Sequence, residues 1–298
     1  MYPRPFHYHR AATVEEAVSL LTELGEDAKL LAGGQSLIPL MKLRLASPAH
    51  LVDLNFVPGL SYSKNDNGVV RFGALTRHTE VAASAVAAQI PILHDCAAGI
   101  ADVQVRNRGT IGGSLAEADP SSDWAAVLLT LPAQVVCVGP EGERTIPLGE
   151  FFVDAYTTVL NPAEVMREVV VEVPPPKSGG AYLAVKRSAP VYATASAAVQ
   201  LTLAENDTCK EAGIAMAAVG LTAIKATEAE AGLRGQRLTP KTIEAAAEAA
   251  MAATDPQPDM RGSAAYKRAL TGVLVKRAIN LALRRARGEA VEVSHIYA

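Results

Sequence analysis

Two glycine pairs carry the chemistry this chain can be read for: Gly33-Gly34, in Leu31-Ala32-Gly33-Gly34-Gln35-Ser36-Leu37, and Gly112-Gly113, in Gly109-Thr110-Ile111-Gly112-Gly113-Ser114. Paired glycines let a backbone come close to a ligand and point successive N–H groups into one concavity, which is what a phosphate or diphosphate requires. A lone pair is usually a plain turn. Here both pairs run into apolar stretches and have side-chain donors beside them, Gln35 and Ser36 at the first, Thr110 and Ser114 at the second. Such donors suit diphosphate oxygens, so the pattern predicts two turns closing on one diphosphate from both sides. Asp123 has two compatible readings, as the N-cap of the helix it precedes or as an acceptor for ribose or ribityl hydroxyls. Arg106 and Arg108 read equally as phosphate partners and as surface charges, and Tyr192 by itself reads as packing.

No catalytic set accompanies these loops. His7 and His9 are two apart in an extended N-terminal segment, while His50, His78, His94 and His295 are scattered without metal-ligand spacing. The loops fit neither G-x-x-x-x-G-K-[ST] nor G-x-G-x-x-G, and there is no nucleophile elbow. Cys96, Cys137 and Cys209 lack any C-x-x-C spacing. That excludes an iron–sulfur cluster or zinc ribbon built by this chain and suits a reducing compartment. A phosphate-handling chain without acid, base or nucleophile leaves the chemistry to a cofactor.

Composition sets the frame. With 298 residues, 49% hydrophobic and 20% charged, the chain is long enough for two or three domains with proper cores. The net charge of -3, with no Lys/Arg block before the C-terminal helix, argues against nucleic acid. The first residues lack the apolar stretch of a signal peptide. The uncharged run Trp124 to Pro140 is interrupted and too short for a membrane span. A cytoplasmic protein without a transmembrane segment is the expectation.

The elements that must position the loops follow from periodicity and punctuation. Thr13-Val14-Glu15-Glu16 is a capping box opening a helix that Gly25 ends. A buried strand, Ala28 to Leu31, runs into the first glycine loop; a helix after Pro39 and a strand at His50 to Leu54 follow. This places the loop at a strand's carboxyl end, where α/β units hold ligands. From Leu60 short strands and turns dominate, which places a boundary near residue 57. Asn65-Asp66-Asn67-Gly68 reads as a hairpin turn between Leu60-Ser61-Tyr62 and Val69 to Phe72. Helices over 79–88 and 92–101 lead to the second loop; then come a helix over 124–131 and strands at 135–138, 145–148 and 169–173. Pro174-Pro175-Pro176-Lys177-Ser178-Gly179-Gly180 reads as a linker. Beyond it, strands near 195–203 and 213–219 and helices over 239–253 and 263–287 form a separate α+β domain. The predicted divisions are 1–57, 58–177 and 178–298.

Ala32-Gly33-Gly34-Gln35-Ser36-Leu37, Gln104-Val105-Arg106-Asn107-Arg108-Gly109-Thr110-Ile111-Gly112-Gly113-Ser114 and Ala118-Asp119-Pro120-Ser121-Ser122-Asp123 together resemble the FAD-binding medium subunits of molybdenum hydroxylases, the xanthine dehydrogenase family. Within it the chain is most similar to the carbon monoxide dehydrogenase branch. The similarity runs from Pro5-Phe6-His7-Tyr8 through Met260-Arg261-Gly262 and Tyr266-Lys267 to the last helix.

The resemblance implies an α+β fold: a two-part FAD-binding region of the vanillyl-alcohol-oxidase (PCMH) type, then a C-terminal α+β domain. It implies that Leu30, Leu31, Ala32, Gly33, Gly34, Gln35, Ser36 and Leu37 clasp the FAD diphosphate together with Thr110, Ile111, Gly112, Gly113 and Ser114. By the same resemblance Asp123 holds the sugar side, Ile100 lines the flavin pocket, Lys186 lies near the flavin and Tyr192 lies against the isoalloxazine. The family's acidic residue before that aromatic is Val191 here, and Gln35 replaces a frequent His.

The implied role is electron transfer. A large molybdopterin subunit oxidises the substrate, a small subunit passes electrons through [2Fe-2S] clusters, and FAD on this chain gathers them for an external acceptor, in a dimer of heterotrimers. The competing expectation is a self-sufficient NAD(P)H-dependent flavoprotein reductase on the same fold. A third is an assembly scaffold with degenerate loops, which intact glycine pairs oppose.

Overall fold

The computed structural model describes residues 2–293 and the backbone of Ile296–Tyr297; His295 lies outside them. Among the described residues, three sheets of three or more strands and one two-stranded pair organise the chain. In the first, β1 (His7–Arg10), β2 (Ala28–Leu31) and β3 (His50–Asp53) are parallel, in the order β1-β3-β2. Helices α1 (Val14–Leu24) and α2 (Leu37–Leu43) make the crossovers. The Thr13 hydroxyl accepts from the Glu16 N–H at 3.1 Å, and Glu16 accepts from the Ala12 N–H at 2.7 Å. That satisfies donors a helix start leaves orphaned. The core against α1 includes Leu75 and Val165, so this unit is sealed by residues far down the chain.

The second part begins with the hairpin β4 (Ser63–Asp66) and β5 (Val69–Gly73). Asn67 and Gly68 both have positive φ (52° and 87°), as a tight twisted hairpin turn demands. The first strand starts three residues later than the sequence suggested. A helical stretch follows: α3 (His78–Ala83), α4 (Pro91–Gly99), α5 (Val103–Arg106), α6 (Ile111–Glu117) and α7 (Asp123–Leu129). Then β6 (Ala133–Gly139) and β7 (Gly142–Pro147) precede a small pair, β8 (Phe152–Asp154) with β9 (Thr157–Thr158), and β10 (Val165–Glu172) returns to the centre. The antiparallel order is β4-β5-β10-β6-β7.

The third sheet comprises β11 (Ser178–Lys186), β12 (Ala195–Leu203), β13 (Cys209–Ala217), β14 (Ile224–Lys225) and, after α8 (Thr227–Leu233), α9 (Pro240–Ala252) and α10 (Ala264–Ala286), β15 (Ile296–Tyr297). Its order is β14-β13-β12-β11-β15, antiparallel apart from the last pair. All nine residues of β12 are buried, because α4 and α7 cover one face and α10 the other. The end of the expected linker is therefore strand: Ser178, Gly179 and Gly180 belong to β11. A Cβ on Gly179 would strike the Ala282 carbonyl of α10, so the glycine that looked like a hinge permits close packing. The C-terminal sheet is locked to α4 by Arg285, which holds buried Asp95 with contacts of 2.6 and 3.0 Å.

Candidate functional site

The first glycine loop leaves β2 and turns into α2. Gly34 adopts φ 73°, and a Cβ on Gly33 would collide with the Arg108 carbonyl. The two glycine loops therefore touch. A hydrogen-bonded bridge joins them: the Asn55 amide donates to the Ala32 carbonyl at 2.8 Å, Arg77 donates to the Asn55 oxygen, and Arg77 also donates to the Arg108 carbonyl. Neither Asn55 nor Arg77 carried a signal in the sequence, since the bridge needs both loops in place.

The loops differ in what their backbones leave free. Among the described residues, the N–H groups of Gly33, Gly34, Gln35, Ser36 and Leu37 meet no protein acceptor. At the second loop Ile111 donates to Thr76 at 3.1 Å, Gly112 to Ala74 at 2.9 Å, Gly113 to the Thr110 hydroxyl at 3.1 Å and Ser114 to the Thr110 carbonyl at 3.0 Å. The expectation that Gly112-Gly113 also presents an N–H nest is thus corrected. Gly112 is a packing glycine, for a Cβ there would lie 2.6 Å from the Ala74 Cβ.

Between the loops lies a cleft of about 230 Å³. Leu30, Ala32, Gly33, Gly34, Gln35, Ser36 and Leu37 line it on one side. Thr110, Gly113 and Ser114 line it on the other, and Ile100, Asp123, Lys186 and Tyr192 complete the wall. Leu31, Ile111 and Gly112 are the sequence-predicted residues that stand behind the wall; Ile111 is fully buried in the core. His78, Gly109, Glu117 and Ser122 also line the cleft. His78 escaped the sequence reading because a histidine without a partner nearby in sequence gives no pattern.

Asp123 is not a helix cap. It is the first residue of α7, whose cap is Ser122, and the Ser122 hydroxyl instead pairs with that of Ser114 at 2.9 Å. Asp123 is 6% exposed; its Oδ1 accepts from the Tyr182 hydroxyl and lies 3.4 Å from the Lys186 Nζ. Lys186 also donates to the Gly99 carbonyl at 2.7 Å. Burial, and then the charge of Asp123, push the Tyr182 phenol well above its ordinary range, so it stays a donor. Among the described residues Oδ2 of Asp123 has no partner, which leaves one carboxylate oxygen for a ligand hydroxyl. At the other end, burial and neighbouring Asp119 raise both the Glu117 carboxyl and the Tyr192 phenol. The free N–H nest, the spare carboxylate oxygen and the apolar and aromatic flank at Ile100 and Tyr192 fit the diphosphate, hydroxyl and ring parts of a flavin nucleotide.

Comparison with known proteins agrees. Residues 4–176 match the family described as FAD binding domain in molybdopterin dehydrogenase, and residues 180–282 match the CO dehydrogenase flavoprotein C-terminal domain. The carbon monoxide dehydrogenase medium chain of Hydrogenophaga pseudoflava is 43% identical, covering 96% of this chain and 99% of that protein. The 6-hydroxypseudooxynicotine dehydrogenase complex subunit alpha of Paenarthrobacter nicotinovorans is 42% identical over 99% of this chain and all of its own length. A solved carbon monoxide dehydrogenase from Hydrogenophaga pseudoflava, lacking the Mo-pyranopterin moiety of its cofactor, superposes with a TM-score of 0.93 at 44% identity, covering 96% of this chain and 99% of that one. With more than half of its residues in the match, this chain belongs to the family of FAD-binding domains of molybdopterin dehydrogenases.

Proposed function

We propose that this chain is the electron-transferring FAD subunit of a heteromeric molybdenum-dependent oxidoreductase, fed by the [2Fe-2S] clusters of a small partner and emptied by an external acceptor. The observation that carries this reading is a nucleotide cleft whose buried charges, Asp123 and Lys186, are tied up in structure. Asp123 is engaged by Tyr182 and Lys186, and buried His78 is neutral. Such a wall binds and orients the nucleotide. Relatives named as a medium chain and as a complex subunit, matched over 99% and 100% of their own length, disfavour the self-sufficient reductase.

The chain's contribution is placement. The N–H groups of Gly33 to Leu37 receive the diphosphate. Asp123 accepts from a sugar hydroxyl, Ile100 and Tyr192 flank the ring, and Lys186 sets a positive charge close to it. Bound FAD supplies storage for two electrons between one-electron donors and the final acceptor. The divisions at 1–57, 58–177 and 178–298 assign the two loops to different parts, so their closure forms the cleft. Carbon monoxide and 6-hydroxypseudooxynicotine appear in the relatives' names. Substrate choice is assigned to the large molybdopterin subunit, with a dimer of heterotrimers as the assembly and the cytoplasm as its location.

The test is purification from the native source with visible spectroscopy and identification of co-purifying chains. FAD and iron–sulfur absorption with two partner chains is the expected result. FAD on a lone chain that NADPH bleaches would overturn the reading in favour of the reductase.

A further inference from the structure

His78 lines the cleft yet has no part in the binding scheme above. The residue is 4% exposed, and the indole N–H of fully buried Trp124 donates to its Nδ1 at 3.1 Å. An indole N–H only donates, so Nδ1 is the acceptor and the proton of the neutral ring sits on Nε2. Burial, reinforced by the charges of Arg77 and Arg106, lowers the ring's pKa to about 3 and keeps it neutral. Nε2 lies beside Gly109, where a Cβ would come within 2.7 Å of it. Among the described residues Nε2 has no hydrogen-bond partner, and it is not among the sealed, unpartnered side-chain atoms. Gly109 in turn packs against Gly33, whose loop carries the free N–H groups.

We propose that His78 is a further cofactor-binding residue, its Nε2–H donating to a phosphate oxygen of the nucleotide, with Trp124 fixing the tautomer that makes this possible. A phosphate oxygen is an acceptor only, so the opposite tautomer would present it with a repelling lone pair. Trp124 thus acts on the ligand through His78 and is a positioning residue. The assignment rests on the FAD reading.

The full-length chain, stripped of flavin, is titrated with FAD and with ADP, which shares the diphosphate and lacks the flavin. His78→Phe weakens both by about tenfold, the scale of one lost hydrogen bond to a charged group. His78→Gln, whose amide can accept from the indole and still donate to the cleft, stays within about threefold of wild type. Undiminished affinity in His78→Phe overturns the assignment alone, and a loss for FAD without one for ADP overturns its placement at the phosphate. Wild-type chain without affinity for FAD overturns the FAD reading and this assignment with it. If His78→Phe does not fold, wild-type chain with nitrogen-15 histidine decides. A His78 Nε2 resonance that moves on adding ADP supports the proposal, and one that stays fixed overturns it.

Discussion

The two glycine loops look alike in sequence and do different work. Gly33-Gly34 sits in an open turn whose N–H groups meet no acceptor within the described protein. Gly112-Gly113 opens α6, and its N–H groups are consumed by Ala74 and by the Thr110 hydroxyl. The first is a donor nest, and the second is a packing joint that presents Thr110, Gly113 and Ser114 as a wall. A glycine pair therefore signals close approach, and only the neighbours decide whether a ligand or another strand does the approaching.

Gly33→Ala should sharpen that contrast most. Its Cβ meets backbone, the Arg108 carbonyl and the Gly109 Cα, neither of which can rotate away. Displacing the loop costs about two charge-assisted hydrogen bonds, so FAD affinity should fall by about 100-fold in a fluorescence titration. Gly112→Ala presses on the Ala74 Cβ at 2.6 Å and should cost about 2 kcal/mol of stability by urea unfolding. An affinity loss as steep as that of Gly33→Ala would erase the distinction between the loops.

The second loop also rests on the buried His78 ring at Gly109. Unfolded histidine takes a proton below about pH 6.5. The folded ring resists until about 3, so in that window the unfolded state binds more protons. This contribution to stability is whole above about pH 6.5 and falls by about 1.4 kcal/mol per pH unit on acidification. Unfolding midpoints between pH 4 and 7 should show the slope, and His78→Gln should flatten it. The smallest effect is expected of Thr110→Val, which removes the acceptor for the Gly113 N–H and should cost about 1 kcal/mol by urea unfolding. No change there would mean that the cap adds nothing to the joint.

Much of the frame was legible because it is local. Thr13 and Glu16 cap α1, Asn67-Gly68 makes the hairpin turn, and the helix expected over 263–287 is α10, Ala264–Ala286. The strand hidden behind Pro174-Pro175-Pro176 was not legible, since Gly179 and Gly180 carry the same symbols whether they form a linker or a strand pressed beneath α10. Asp123 shows the same limit at the site. Its identity as a carboxylate ahead of a helix was plain, whereas its partners Tyr182 and Lys186 lie 59 residues or more away.

The sequence by itself determined the glycine loops, the absence of cysteine ligand spacing and the family pattern, because backbone permissiveness and residue type are properties of short stretches. Tertiary structure decided which N–H groups stay free, which tautomer Trp124 imposes on His78 from 46 residues away and which oxygen of Asp123 is left over. The physical reason is that a hydrogen-bonding group is available to a ligand only if the rest of the chain has not already satisfied it.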